Sequence, residues 1–183
     1  YRNGSERNVF SLIGDSGSGK SSVLAKAILE LQSEQNNAVT IFRFIGTTVP
    51  SSNIIPLLRS VCGQIAREFN VSLESLAGGG IEKSLYDINI LSEVFRNSLA
   101  LGTSERPVVV FLDALDQLSD ADNAKSLDWI PHELPENAKV VVSSLPELEM
   151  RLRSAHVEHL AVLRLTETRE ILKKWSLAFN RTL

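Results

Sequence analysis

Short runs of apolar and β-branched residues alternate along the chain with longer stretches in which apolar residues recur at helical spacing. The runs predict five strands, at residues 9–13, 38–45, 108–112, 139–144 and 158–165. The fifth run mixes polar and apolar positions, which indicates an edge strand. Continuous apolar strands that alternate with helices are typical of parallel sheets covered on both faces. The pattern therefore predicts an α/β fold: a three-layer sandwich with a mostly parallel five-stranded sheet and helices on both faces.

Four helices are predicted between and after these strands. Asn53 is placed to cap the second helix, and Gly102 to end the third. Thr166 is expected to open the last helix, and the glycine run at 78–80 to form a loop. The apolar stripes of the four helices lie in the segments Leu24–Leu31, Ile54–Phe69, Ile88–Leu101 and Ile171–Phe179.

Composition limits the class of protein. The chain has 183 residues, of which 43% are hydrophobic, and this is enough for one globular domain spanning 1–183. The net charge of −3 has both signs spread along the sequence, so nucleic acid is not an expected partner. No apolar stretch is long enough to span a membrane, and Cys62 is the single cysteine, which suits a reducing, cytoplasmic location. The absent initial Met predicts a fragment of a longer chain.

A phosphate-binding loop follows the first predicted strand. Residues 14–21 match the pattern G-x-x-x-x-G-K-[ST], and a strand precedes them and a helix follows, so a chance glycine- and serine-rich turn is disfavoured. Backbone N–H groups of such a loop surround phosphate, Lys20 reaches the β- and γ-phosphates, and Ser21 is a ligand for Mg²⁺. The predicted nucleotide-binding residues are Gly14, Asp15, Ser16, Gly17, Ser18, Gly19, Lys20, Ser21 and Ser22.

A carboxylate is needed to hold the magnesium ion, and the third strand supplies one at its carboxyl end. Asp113 follows four to five apolar residues, so it is the predicted second Mg²⁺ ligand, with a turn or helix cap as the alternative. Asp116 and Lys20 are the predicted catalytic residues. Asp116 could orient or activate the attacking water. Its alternative is a solvated turn residue.

Hydroxyl groups follow two other strands at the same edge. Ser143 and Ser144 end the fourth strand and are candidate sensors of the γ-phosphate, or else caps of the helix that begins at Pro146. A hydroxyl-rich loop at residues 47–52 follows the second strand and is either a switch or an ordinary turn.

Three other features are expected to be structural. His156 and His159 have a spacing that could hold a metal, but the sequence offers no third ligand nearby, so an edge-strand role is favoured and no metal besides Mg²⁺ is predicted. Cys62 lies on an apolar helix face and is expected to pack as a small hydrophobe. Trp129 is expected to pack against the sheet, and Trp175 in the core or at an interface.

With these motifs in hand, the chain resembles the signal-transduction NTPases with numerous domains (STAND), and within them the NACHT-type module of nephrocystin-3-like and NACHT/WD-repeat proteins. The segments that carry the resemblance are 14–22, 42–65 and 112–146. It implies a P-loop NTPase fold and an ATP/ADP switch with Mg²⁺. It also implies self-association and protein partners bound through flanking WD or TPR repeats. A cytoplasmic location, with association to cytoskeleton or cilium, follows from the same resemblance, as do lid and winged-helix parts beyond the segment.

The sequence departs from the family pattern at three positions. Ala114 stands where many relatives have glycine, Gln117 where another acid is common, and Leu145 where many have arginine. The main hypothesis is a regulatory switch that hydrolyses ATP slowly. The alternatives are a scaffold that binds nucleotide with little or no turnover and, less favoured, a small-molecule kinase.

Overall fold

A computed structural model describes residues 9–33, 37–78, 85–152, 155–162 and 165–178. The strands are β1 Phe10–Ile13, β2 Val39–Phe44, β3 Val108–Asp113, β4 Ala138–Ser144 and β5 His156–His159. The helices are α1 Lys20–Ser33, α2 Ile54–Glu68, α3 Leu73–Leu76, α4 Ile88–Leu99 and α5 Leu165–Ala178. Short 3-10 helices cover Val49–Ser52, Leu115–Gln117, Ala121–Ser126 and Pro146–Arg151.

The five strands form one sheet in the order β2-β3-β4-β1-β5, and every neighbouring pair is parallel. The chain crosses from β1 to the far edge at β2 and then returns strand by strand. Because such crossovers are right-handed, α1 lies on the opposite face from α2 and α4. The predicted three-layer α/β sandwich is confirmed.

The two faces of the sheet have separate cores. On the α1 face, Leu24 and Ile28 pack on Leu12 and Phe111. The larger core on the other face holds the apolar stripes of α2 and α4, as predicted from their spacing. Trp129 packs in this core, where its ring centroid lies 6.3 Å from that of Phe95, so its predicted structural role is confirmed.

Local signals set the helix ends much as the sequence predicted. The side chain of Asn53 accepts a hydrogen bond from the backbone N–H of Ile55 at 3.0 Å and caps α2. The last helix begins at Leu165, one residue before Thr166. Gly78 lies in a turn, whereas the rest of the glycine run and the side chain of Trp175 lie outside the described residues. The single turn of α3 was not predicted.

The fifth strand is an edge strand, as predicted, but it occupies residues 156–159 instead of 158–165. Its pairing partner β1 has only four residues, and the register joins Phe10 to His156 and Ile13 to His159. Pairing must end where β1 ends, so residues 160–162 add no strand, and residues 163–164 of the predicted strand lie outside the described residues. No helix in the described part of the chain is long and apolar enough to cross a bilayer.

Candidate nucleotide site

The predicted phosphate loop connects β1 to α1, at the carboxyl edge of the sheet. Gly17 and Gly19 have φ angles of +78° and +99°, which residues with a Cβ rarely adopt. A Cβ on Gly14 would lie 2.6 Å from the carbonyl oxygen of Leu160, which follows β5. The loop therefore needs glycine at three positions, for its backbone shape and for the close approach of a neighbouring segment.

The polar side chains of the loop point into it as well as away from it. Lys20 is only 8% exposed, and its ammonium donates to the carbonyl oxygens of Gly14 at 2.7 Å and Asp15 at 2.9 Å. The Ser18 hydroxyl is buried and has no hydrogen-bond partner among the described residues. Ser21 and Ser22, in the first turn of α1, are exposed. The loop thus combines a held cation, an unpaired buried hydroxyl and accessible hydroxyls.

Asp113 lies where the sequence placed it, at the carboxyl end of β3. Its side chain is buried, and Oδ1 accepts a hydrogen bond from the hydroxyl of Ser143. The contact follows from register, because Leu112 pairs with Val142 and the next residues of the two strands are neighbours. The cap alternative for Asp113 is wrong, since its carboxylate is paired across the sheet.

The two serines at the end of β4 have different roles. Ser143 donates to Asp113, whereas the Ser144 hydroxyl donates to the adjacent carbonyl of Leu145 at 3.2 Å. Neither caps the following 3-10 helix, whose N-cap is Leu145 without a side-chain bond. The carbonyl of Ser144 accepts the N–H of Gly14 at 3.3 Å. The strand between β1 and β3 therefore ties the phosphate loop to the buried carboxylate.

Asp116 lies in the 3-10 helix Leu115–Gln117, which contacts β4. The residue is half-buried. Its Oδ2 accepts a hydrogen bond from the side-chain amide of Gln117 at 2.7 Å. Its Oδ1 is buried and has no partner in the described parts of the chain. Asp116 is thus not a solvated turn residue, and one of its oxygens is held while the other is unpaired.

The hydroxyl-rich loop after β2 is internally bonded. Thr48 and Ser51 form a reciprocal capping box, and the Thr47 hydroxyl donates to the carbonyl of Phe44 at 3.0 Å. Such local hydrogen bonds are typical of an ordinary turn, which was one of the two interpretations of residues 47–52. The loop also joins the Asp116 segment, because the N–H of Ser119 donates to the carbonyl of Ser52 at 2.8 Å.

The contact between Gly46 and Gln117 at this edge was not predicted from the sequence. The two residues pack closely, since a Cβ on Gly46 would lie 2.8 Å from Cβ of Gln117. A glycine directly after a strand was the available signal for Gly46, but nothing local indicated its partner. The close approach of the Leu160 backbone to Gly14 was also not predicted, because the predicted fifth strand began two residues after the observed one and included Leu160.

The histidines of β5 are bonded to acids on the surface. Nε2 of His156 lies 3.2 Å from Oε1 of Glu158, and Nε2 of His159 lies 3.3 Å from Oε1 of Glu149. Across the residues that the structure describes, no group of three or more His, Cys, Asp or Glu side chains could hold a metal ion. The edge-strand interpretation of both histidines fits this arrangement.

The residues at this edge fit a bound Mg²⁺ and nucleotide. The Ser18 hydroxyl, which has no partner among the described residues, lies in a loop of glycines with positive φ. The buried Asp113 carboxylate lies at the same sheet edge, at the end of β3, with β4 between it and β1. Hydroxyl and carboxylate oxygens are the donors that Mg²⁺ prefers, and backbone N–H groups at a helix start suit phosphate. Ser21 and Asp113 would hold the ion.

The chain is similar in sequence to a known protein family and to several repeat-containing proteins. The family described as nephrocystin 3, N-terminal, matches residues 1–145. NACHT and WD repeat domain-containing protein 2 of mouse is 39% identical over 111 residues, 61% of this chain and 6% of that protein. Mouse tetratricopeptide repeat protein 41 is 24% identical over 144 residues, 76% of this chain and 11% of its own length.

A solved structure of a STAND protein with a tetratricopeptide repeat sensor, from Pyrococcus horikoshii, aligns with a TM-score of 0.46 at 14% identity. The alignment covers 92% of this chain and 23% of that one. The chain thus spans only a small part of the relatives it matches. The resemblance to NACHT-type modules is confirmed, and with a family match over residues 1–145 the chain belongs to the nephrocystin 3 N-terminal family.

Proposed function

We propose that this chain is an ATP-binding regulatory switch that hydrolyses ATP slowly and couples its nucleotide state to assembly or signalling. Homology to NACHT and STAND proteins suggests a nucleotide-binding regulatory module. The observation that carries the proposal is the meeting of three groups at one sheet edge. These are the phosphate loop after β1, the buried Asp113 at the end of β3, and the end of β4, where the Ser143 hydroxyl bonds Asp113 and the Ser144 carbonyl bonds Gly14.

Binding would use the loop backbone and three side chains. Residues 14–22 surround the phosphates, and the Lys20 ammonium exchanges a loop carbonyl for a phosphate oxygen. Mg²⁺, held by Ser21 and Asp113, would neutralise charge on the β- and γ-phosphates. Ser143 keeps the Asp113 carboxylate oriented, and Ser144 stays a candidate sensor through its place beside the loop.

Hydrolysis would depend on Asp116, whose Oδ1 has no partner among the described residues and is the proposed acceptor for the attacking water. We expect turnover far below the typical enzyme value of about 10 per second. An arginine beside the transferred phosphoryl group, in addition to Lys20 and Mg²⁺, contributes on the order of 10³ to 10⁵ in rate, and Leu145 cannot supply one at the end of β4. We propose that a neighbouring subunit or another segment of the protein provides it.

The binding step is tested by calorimetry with ATP and Mg²⁺ on the parent chain and on Lys20→Ala. The control is Lys26→Ala, since Lys26 lies on the same helix with its side chain 77% exposed. We expect Lys20→Ala to lose most of the affinity and Lys26→Ala to lose none. Equal affinities for all three proteins would contradict the proposed phosphate loop.

The hydrolysis step is tested by phosphate release from Asp116→Asn beside Asp120→Asn, which changes an exposed acid four residues away. The Asp116 variant should lose most of the slow turnover and keep its ATP affinity, because the carboxylate acts on water and not on the phosphates. An Asp116→Asn variant as active as the parent would refute the catalytic assignment.

A scaffold that binds nucleotide without turning it over is the second candidate. Leu145 favours it, because that side chain offers no charge to the transferred phosphoryl group. The same phosphate-release assay separates the two candidates: ATP binding with no release above buffer would favour the scaffold.

Regulation would come from protein partners. The matched relatives are named for WD or tetratricopeptide repeats, so flanking repeats are the proposed partner-binding parts of the longer protein. The proposed location of the protein is the cytoplasm. Self-association would bring the missing cation from a neighbour. Turnover per chain should then rise with protein concentration, and a rate independent of concentration would contradict this route.

A further inference from the structure

Gln117 holds the carboxylate on which the proposed hydrolysis depends. Its side-chain Nε2 donates to Oδ2 of Asp116 at 2.7 Å, although the Gln117 residue itself is exposed. An exposed glutamine ordinarily samples several rotamers, and holding it in one costs side-chain entropy. The observed geometry therefore needs something that confines the side chain.

Gly46 provides that confinement. With φ of +83° it turns the chain directly after β2, and the stem of Gln117 occupies the space where a side chain would begin. A Cβ on Gly46 would lie 2.8 Å from Cβ and 3.1 Å from Cγ of Gln117. Any larger residue at 46 would therefore displace the stem and, with it, the amide.

The backbone of this segment is fixed on both sides of the pair. Leu115 and Leu118 are buried in the large core, and the N–H of Ser119 is bonded to the carbonyl of Ser52. With the backbone held, what remains variable is the orientation of the Asp116 carboxylate. One of its oxygens is bonded to Gln117, and the other is buried without a partner among the described residues.

We propose that Gln117 is a positioning residue: its amide, seated against Gly46, fixes one oxygen of Asp116 so that the second is left to orient the attacking water. The inference rests on the proposed function. A second acid at position 117 could not donate this bond when ionised, whereas the neutral amide does so without adding a competing negative charge.

The test compares Gln117→Met, which keeps the length of the stem but has no donor, with Gln32→Ala, a change of an exposed glutamine in the last turn of α1. Phosphate release at saturating ATP should fall about tenfold or more for Gln117→Met, because a positioned base contributes about 10² to 10⁴ in rate. ATP affinity, measured by calorimetry, should stay within about twofold, since the lost bond acts on water. Gln32→Ala should match the parent in both.

Two further variants separate positioning from simple packing. In an Asp116→Asn background, Gln117→Met should cause no additional loss, because its effect passes through the Asp116 carboxylate. Gly46→Ala should reproduce the loss of Gln117→Met, and the two changes together should not add. If Gln117→Met lowers the rate further in the Asp116→Asn background, the positioning role is overturned.

A measurement without nucleotide tests the bond itself. The ¹H–¹⁵N signal of the Gln117 side-chain amide, assigned by its loss in Gln117→Met, should shift in Asp116→Asn; an unmoved signal would overturn the proposal. A parent chain that binds ATP but releases no phosphate would refute the hydrolysis of the proposed function, and this inference with it. A parent that hydrolyses ATP as fast as Gln117→Met would refute this inference alone.

Discussion

The hydrogen bond between Ser143 and Asp113 gives the sharpest test of the site, because the adjacent residue, Ser144, is a matched control. Ser143 and Ser144 are adjacent, both are fully buried at the end of β4, and each hydroxyl donates one hydrogen bond. The Ser143 partner is a carboxylate, whereas the Ser144 partner is the neutral carbonyl of Leu145. Changing each serine to alanine removes a hydroxyl oxygen from one of two adjacent buried positions of the same strand.

The two changes should differ in cost. A hydrogen bond to a charged group contributes about 1.5 to 3 kcal/mol, and a neutral one about 0.5 to 1.5 kcal/mol. Ser143→Ala also leaves Oδ1 of the buried Asp113 without its donor, which adds to the loss, while the carbonyl of Leu145 follows the strand at a half-buried position. We therefore expect Ser143→Ala to lower the free energy of unfolding by roughly 1 to 2 kcal/mol more than Ser144→Ala does.

Urea unfolding followed by far-ultraviolet circular dichroism measures both free energies, provided that the dependence on urea concentration is the same in the two variants. The affinity for ATP should also lose part of its Mg²⁺ dependence in Ser143→Ala and not in Ser144→Ala, since only the first frees Asp113, the proposed ligand of Mg²⁺. Equal losses of stability, or a larger loss in Ser144→Ala, would refute the view that Ser143 supports Asp113.

Three other predictions concern Asp113, Gly14 and the buried Cys62. Asp113→Asn should remove the Mg²⁺ dependence of ATP binding more than binding itself, which titrations with and without Mg²⁺ measure; an equal response in both would show that Asp113 is misassigned. Gly14→Ala should destabilise the fold by about 1 to 3 kcal/mol in thermal unfolding, because its Cβ would meet the carbonyl of Leu160 at 2.6 Å. Burial raises the pKa of the Cys62 thiol from 9.0 to about 12, so stability should fall as pH rises from about 9 to about 12, where only the unfolded chain ionises. Cys62→Ser should flatten that fall, and an unchanged pH dependence would contradict it.

The sequence by itself determined the features that depend on local chemistry. Apolar periodicity located four strands and four of the five α-helices, because burial of a face leaves the same spacing in any chain that folds this way. The proposed phosphate loop could be located from the sequence because its glycines, Lys20 and Ser21 are contiguous. Asp113 was readable because a carboxylate after an apolar strand must lie at the sheet edge.

The order of strands was decided only by the tertiary structure. Insertion of β4 between β1 and β3 is what brings Ser143 to Asp113, and residues 30 positions apart leave no mark of that pairing in a single sequence. The same limit explains the misplaced fifth strand. Its length is set by the four residues of β1 that it pairs with, and not by its own apolar content.

The contact between Gly46 and Gln117 belongs to the same class. A glycine after a strand and a glutamine after an aspartate are each common in sequences. The contact between them forms only because the two loops that carry them pack together at one edge of the sheet. Local propensity and periodicity report on the surroundings of each residue along the chain. Side-chain contacts between loops depend instead on sheet order and register, which only the folded chain fixes.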